Sequence, residues 1–204
     1  MTMGSTAGEA GEGCRYKLYR VDGRPLVLLH GYSFTLEVWD NIGLTGRLEE
    51  EGIPYLSVDM PYGARTSCRV KARAHEENLN FLRGLYRQKF GDRIPIVLGA
   101  SLGGYMALLY GMTYPVSGLI LVAPVWSTRG DILGYYAERG IPILLIYGEK
   151  DDIVTIDEMW EFKEMVSSSE LKVYEGARHP AYLDKPKEFI EDVIQFCKKE
   201  YLEL

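Results

Sequence analysis

Gly99-Ala100-Ser101-Leu102-Gly103 sets one serine between small residues, directly after the apolar run IPIVL and just before a second one, YMALLY. A strand that turns at once into a helix forces its turn residue into strained backbone geometry. Small residues two positions to either side let the helix approach the strand, and the turn lifts the serine hydroxyl clear of the sheet. The same turn leaves the amide of Leu102 at a helix N-terminus, aimed where negative charge would develop. The chemistry of such a serine is attack on an acyl carbon. It needs a base, ordinarily a histidine oriented by a buried carboxylate.

Three histidines are available. His75 lies in the charged segment RVKARAHEENL and reads as a solvated helix residue. His30 directly follows PLVLL and reads as a hydrogen-bonded structural residue. His179, in EGARHPAYLDKP after the last apolar run, is the candidate base. For the orienting acid, IPILLIYGEKDD offers Glu149, Asp151 and Asp152 just beyond a strand. Asp151 is preferred, with Asp152 the alternative by a one-residue shift. The strand before it is followed by PVWSTRGD, which has no acid until Asp131, and this favours Asp151. Ser101, Asp151 and His179 then occur in the chain order serine, acid, histidine. Gly31 lets the chain turn tightly after its strand, so that the amide of Tyr32 joins that of Leu102 in an oxyanion hole.

These residues need a scaffold that brings them to one edge. PLVLLHG, IPYLSVDMP, IPIVLGAS, VSGLILVAP, IPILLIYG and LKVYEGA are short apolar runs. Between them lie segments of helical length and period, including 69–90, 102–113 and 156–167. Alternating strand and helix predicts an α/β fold with a mostly parallel central sheet flanked by helices on both faces. CRYKLYRV reads as an edge strand. Segment 186–201 reads as a terminal amphipathic helix, with Phe189, Val193, Ile194 and Cys197 largely on one stripe. Ligands of such sheets sit at the carboxyl ends of the strands, where all three candidates fall.

The chain of 204 residues is the size of one domain. The first 13 residues, rich in Gly, Ala, Ser and Glu, read as a flexible tail, leaving 14–204 as a single domain. A net charge of -6 with scattered Lys and Arg argues against a nucleic-acid partner. No stretch approaches the roughly 18 consecutive apolar residues of a membrane span. The start, MTMGSTAGEAGEG, lacks the basic and apolar regions of a signal peptide, so a cytoplasmic chain with no membrane partner is expected. Cys14, Cys68 and Cys197 are odd in number and lack metal-ligand spacing, so neither a disulfide framework nor a metal site is expected. Only five Asn and Gln residues lean toward a heat-adapted source.

Over nearly its whole length after the tail, the chain resembles the α/β-hydrolase superfamily. LLHGYSFTLEVWDNIG resembles that family's oxyanion strand and loop, VLGASLGGYMALLY its nucleophile elbow, and IYGEKDDIV with GARHPAYLDKPKEF its acid and histidine loops. HGYSFTLEVWDNIG, VAPVW and HPAYLDKP are similar to the small, lidless abhydrolase-domain-containing 14 group. DMPYGARTS departs from the common DxPGxGxS pattern, with Tyr62 at the first glycine position. The resemblance implies nucleophile Ser101, acid Asp151, base His179 and oxyanion amides of Tyr32 and Leu102. A serine at the elbow sets the chain apart from the dehalogenase and epoxide hydrolase branches, which use aspartate there.

The implied function is a carboxylesterase cleaving small acyl esters through an acyl-Ser101 intermediate, with no metal or organic cofactor. A deacylase, thioesterase or acyltransferase using the same residues is the alternative reading, and a noncatalytic binding protein is a further one. Where many relatives insert a helical cap, residues 125–140 leave room for about one short helix, implying a minimal cap and a shallow site. Trp126, Tyr135 and Tyr136 either line that site or cover exposed core.

Overall fold

A computed structural model of the protein describes residues 4–202. Along the chain its strands are β1 (Thr6–Glu9), β2 (Arg15–Tyr19), β3 (Leu26–Leu29), β4 (Tyr55–Val58), β5 (Ile96–Ala100), β6 (Gly118–Val122), β7 (Ile143–Gly148) and β8 (Ser169–Tyr174). Its helices are α1 (Glu37–Asn41), α2 (Leu44–Glu50), α3 (His75–Phe90), α4 (Leu102–Thr113), α5 (Gly130–Ala137), α6 (Ile156–Met165), α7 (Ala181–Asp184) and α8 (Pro186–Leu202). The strands form one sheet in the order β1-β2-β4-β3-β5-β6-β7-β8. β2 runs antiparallel to both its neighbours, and every other pairing is parallel.

The continuous apolar runs follow from this arrangement, because a parallel strand between two helical layers is buried on both faces. Successive side chains point to opposite faces. Thus Val27 and Leu29 join a cluster with Leu82 of α3, Met106 of α4 and Phe162 of α6. Leu26 and Leu28 join the opposite cluster, with Trp39 of α1, Leu48 of α2 and Phe189 of α8. Each such buried side chain contributes roughly 1.5–3 kcal/mol of transfer free energy. Between β6 and β7 the only helix is α5, so the cap is minimal.

Two expectations are corrected here. Residues 6–9 of the segment read as a tail form β1, paired from Thr6↔Leu18 to Glu9↔Arg15, which makes β2 an interior strand instead of the edge. Pairing with β1 satisfies the outer backbone groups of β2. The small residues that read as tail composition serve packing, since a Cβ at Gly8 would lie 2.5 Å from the Tyr16 hydroxyl. Residues 1–3 of the expected tail lie outside the described residues.

The second correction concerns the cysteines. Cys14 and Cys68, 54 positions apart, are joined by a disulfide, while Cys197 is buried and stands outside it. The loop after β4 runs beside the start of β2 and brings the two thiols together. Arg15 N–H donates to Ser67 Oγ at 2.8 Å, and Arg69 N–H donates to Glu12 O at 2.7 Å. Tyr62, the departure from the glycine pattern, is buried in the same loop and donates to His30 O at 2.5 Å. Among the described residues no helix is long and apolar enough to cross a membrane, and no cluster of three or more His, Cys, Asp or Glu could hold a metal.

Closing a loop of this length restricts the unfolded chain. Cys14→Ala is expected to lower the stability to chemical denaturation by about 2–4 kcal/mol relative to the oxidised native chain. Equal midpoints for the two, or a non-reducing peptide map without a Cys14–Cys68 link, would show the bond to be absent.

Candidate active site

Ser101 occupies the turn between β5 and α4 with φ 53 and ψ -116. A side chain held at such a positive φ costs on the order of 1–3 kcal/mol. Three backbone hydrogen bonds fix it there. Ser101 N–H donates to Val122 O at 2.8 Å, and Ser101 O accepts from Tyr105 N at 3.1 Å and Val125 N at 3.4 Å. The flanking glycines are steric requirements. A Cβ at Gly99 would lie 2.1 Å from Gly103 O, and one at Gly103 would lie 2.6 Å from both Leu29 O and His30 O.

The carboxylate and the histidine arrive from the ends of β7 and β8. Asp151 is fully buried at its side chain. Its Oδ1 accepts from Ile153 N at 2.8 Å and Val154 N at 3.0 Å, and its Oδ2 lies 2.7 Å from His179 Nδ1. Burial pushes the Asp151 pKa up, but the hydrogen bonds from His179, Val154 and Ile153 outweigh it and hold the carboxyl below its usual range. A carboxylate only accepts, so Nδ1 carries the proton and Nε2 is left as an acceptor. Nε2 is buried and has no hydrogen-bond partner among the described residues, the Ser101 hydroxyl included. Asp152, the alternative acid, is exposed.

The acid and histidine loops are locked together. A Cβ at Gly148 would lie 2.2 Å from Arg178 O, so the strand end and the histidine loop are in backbone contact. Lys150 N–H donates to Ala177 O at 2.7 Å, and Glu149 Oε2 accepts from Gly176 N at 2.8 Å. Arg178, next to His179, binds Asp184 through its backbone N, Nε and Nη2 at 2.8, 3.0 and 2.6 Å. This fork holds the Asp184 carboxyl down to about 2.

Gly31 brings the loop after β3 against the elbow, where a Cβ would stand 3.7 Å from Ser101 Cβ. Tyr32 O accepts from Ala64 N at 2.8 Å, which ties this loop to the one after β4. Leu102 is the first residue of α4, where backbone N–H groups have no partner within the helix. His30 is buried and structural. Its Nε2 accepts from Met60 N at 3.0 Å and its Nδ1 donates to Gly31 O at 2.8 Å, while burial lowers its pKa. His75 is exposed at the start of α3, its ring edge-on to Tyr105 at 5.1 Å.

A pocket of about 250 Å³ gathers these parts, with Tyr32, Phe34, Ser101, Ile153, His179 and Tyr182 among its lining. The aromatic candidates of the short cap do not line it. The hydroxyl of Tyr136 donates to Leu108 O at 2.7 Å and that of Tyr135 to Gly111 O at 3.1 Å, so both cover α4. Trp126 stands 56% exposed, edge-on to Tyr105 at 5.1 Å. α5 lies down on α4, and packing claims its aromatic rings.

The walls are instead Phe34, Ile153 and Tyr182, which the sequence reading missed. Tyr182 is braced by ring contacts with Trp39 at 5.1 Å, Phe189 at 5.7 Å and Phe34 at 6.2 Å. The available signal was position, since Phe34 shares a motif stretch with Gly31 and Tyr182 shares one with His179.

Residues 26–139 match the alpha/beta hydrolase family, and the chain belongs to it. Within that family it is ABHD14-like. It is 30% identical over 176 residues to Protein ABHD14A of Danio rerio, covering 85% of this chain and 64% of that protein. It is 29% identical over 180 residues to the putative protein-lysine deacylase ABHD14B of Homo sapiens, covering 85% of this chain and 82% of that protein. Among solved structures, a predicted CIB-like hydrolase from Thermoplasma acidophilum superposes with a TM-score of 0.81 at 29% identity, covering 95% of this chain and 98% of that one. A structure from a study of Nitrososphaera gargenis carboxylesterases superposes with a TM-score of 0.80 at 16% identity, covering 98% and 100%, which shows the shared fold.

The Arg178–Asp184 fork has a pH signature. Asp184 has a folded pKa below its ordinary value of 3.8, so its contribution is complete above that value and is lost as pH falls toward about 2. Asp184→Asn is therefore expected to lower the melting temperature at pH 7, with the gap from the native chain closing between about pH 4 and pH 2. Thermal melts across that range check it, and a gap independent of pH would remove the fork as its cause.

Proposed function

We propose that the protein is a serine hydrolase that cleaves short-chain carboxylic esters through an acyl-Ser101 intermediate. The observation that carries this reading is His179. One ring nitrogen is held on the buried Asp151 carboxylate, and the other is left without a partner in the pocket that Ser101 lines.

Ser101 Oγ attacks the ester carbonyl carbon while its proton passes to His179 Nε2. Asp151 remains ionised at neutral pH, in keeping with its lowered pKa, and stabilises the imidazolium. The amides of Leu102 and Tyr32 receive the oxyanion. Collapse breaks the bond to the alkoxide oxygen, which leaves as the alcohol with the proton from Nε2. Water then attacks the acyl carbon, losing its proton to Nε2, and the acid departs as Ser101 regains that proton. Ser101 Oγ must reach Nε2 for the first step, and catalytic hydrogen bonds commonly tighten only in the substrate complex. The minimal cap and the modest pocket favour a short acyl group.

A deacylase reading is supported by the similarity to human ABHD14B, a putative protein-lysine deacylase. The same acyl-Ser101 step would then release the ε-amine of an acylated lysine. Three measurements test both readings: labelling by a fluorophosphonate probe, hydrolysis of p-nitrophenyl esters of graded chain length, and release of acyl groups from an acyl-lysine peptide. The native chain should label and Ser101→Ala should not, with ester turnover falling at least about 10³-fold. Equal labelling of the two, or none of either, would remove Ser101 as the nucleophile. Turnover of the peptide in place of the esters would select the deacylase.

A further inference from the structure

A second pocket, of about 260 Å³, adjoins the one at Ser101, and Ser33 and Phe34 line both. Beyond Phe34 its surface carries the apolar Val38 and Leu183 and the polar Asn41 and Arg65. The Arg65 guanidinium has no ion-pair or hydrogen-bond partner among the described residues, and the same holds for the side chains of Asn41 and Ser33.

The carboxylates of this region are all engaged by other groups. Glu37 pairs with Arg15 and accepts from Thr35, and Asp40 pairs with Lys17 and accepts from Thr45. Asp59 holds Arg15 and Leu36 N, and Asp184 holds Arg178. A chain of net charge -6 thus keeps an uncompensated cation and two further donors in a cleft with no acidic lining. Arg65 is exposed, and the backbone on either side of it is fixed by its neighbours. Ala64 N–H donates to Tyr32 O at 2.8 Å, Thr66 N–H donates to Gly63 O at 3.3 Å, and the Cys14–Cys68 disulfide anchors the far end of the loop.

A guanidinium presents a planar fork of donors that matches a carboxylate or phosphate. We propose that this second pocket is a subsite for an anionic group on a substrate whose ester carbonyl lies at Ser101, with the substrate passing over Phe34. The proposal rests on the reading of Ser101 as nucleophile, and it narrows the substrates to esters bearing a carboxylate or phosphate remote from the scissile bond.

Two matched pairs of esters test it. On the acyl side, mono-p-nitrophenyl adipate is compared with p-nitrophenyl heptanoate. On the alcohol side, 4-butyryloxyphenyl phosphate is compared with 4-methoxyphenyl butyrate. The charged-to-neutral ratio of kcat/KM is measured for the native chain and Arg65→Gln. In at least one pair the ratio should fall about tenfold in the variant, as expected for loss of one charge-assisted contact, while the neutral esters hold their rates. The pair that responds identifies which side of the ester carries the anion. Unchanged ratios in both pairs overturn the proposal.

If the neutral esters are cleaved equally by Ser101→Ala the nucleophile reading fails instead, and if the native chain cleaves none of them the ester reading fails. Binding of adipate, followed by NMR, then decides the subsite without turnover. Binding weakened about tenfold in Arg65→Gln supports it, and equal binding to both chains overturns it.

Discussion

The first turn of α4 rests on the backbones of β3 and β5 with no side chain between them. That contact depends on Gly99 and Gly103, where any Cβ would come within 2.6 Å of backbone oxygen. It holds Ser101 at a positive φ and points its neighbours toward the carboxyl edge of the sheet. The strain, on the order of 1–3 kcal/mol, is small against what the same helix buries. Tyr105, Met106, Leu108 and Tyr110 of α4 are all buried, each contributing a comparable or larger transfer free energy. The elbow is therefore a local cost that the packing of one helix offsets, and the sheet can hold it without further support.

His30 and His179 follow strands of the same sheet and meet opposite ends. Both nitrogens of His30 are satisfied by backbone, and burial lowers its pKa, so it remains a neutral brace beneath the loop after β3. His179 has one nitrogen satisfied and one buried without a partner. Keeping that acceptor in the pocket and unspent on protein donors requires that its surroundings be fixed. The contacts of Gly148 with Arg178, of Glu149 with Gly176 and of Arg178 with Asp184 supply that fixing.

Strand-helix alternation and the elbow were legible in the sequence because each is a local pattern. Apolar runs report burial on two faces, and Gly-x-Ser-x-Gly reports a steric contact between adjacent segments. Asp151 and His179 were legible as loop residues after successive strands. β1 was not, because its residues have low strand propensity and pair only because β2 offers an open edge. The disulfide was not, because its proximity arises from a loop path rather than from spacing. Tyr135 and Tyr136 could line the site or cover α4. The outcome turned on how α5 docks, a tertiary event that no periodicity records.

That docking decides where the pocket takes its walls. With α5 lying on α4, no cap side chain encloses a substrate from above, and apolar contact has to come from the loops that carry the polar groups. Ile153 lines the pocket while its own N–H holds Asp151. Tyr182 lines it from the helix that begins where Ala181 N–H donates to His179 O at 3.0 Å. Phe34 lines it from the turn closed by its N–H on Gly31 O at 3.1 Å. Wall and machinery thus share the same short segments. A capped hydrolase can vary its substrate by altering an inserted helix while its chemical groups stay fixed, but a minimal one couples the two. The adjoining cleft shares Phe34 with that pocket, but its cation lies outside the coupling. It draws its charge from the loop after β4, which supplies none of the groups proposed to react.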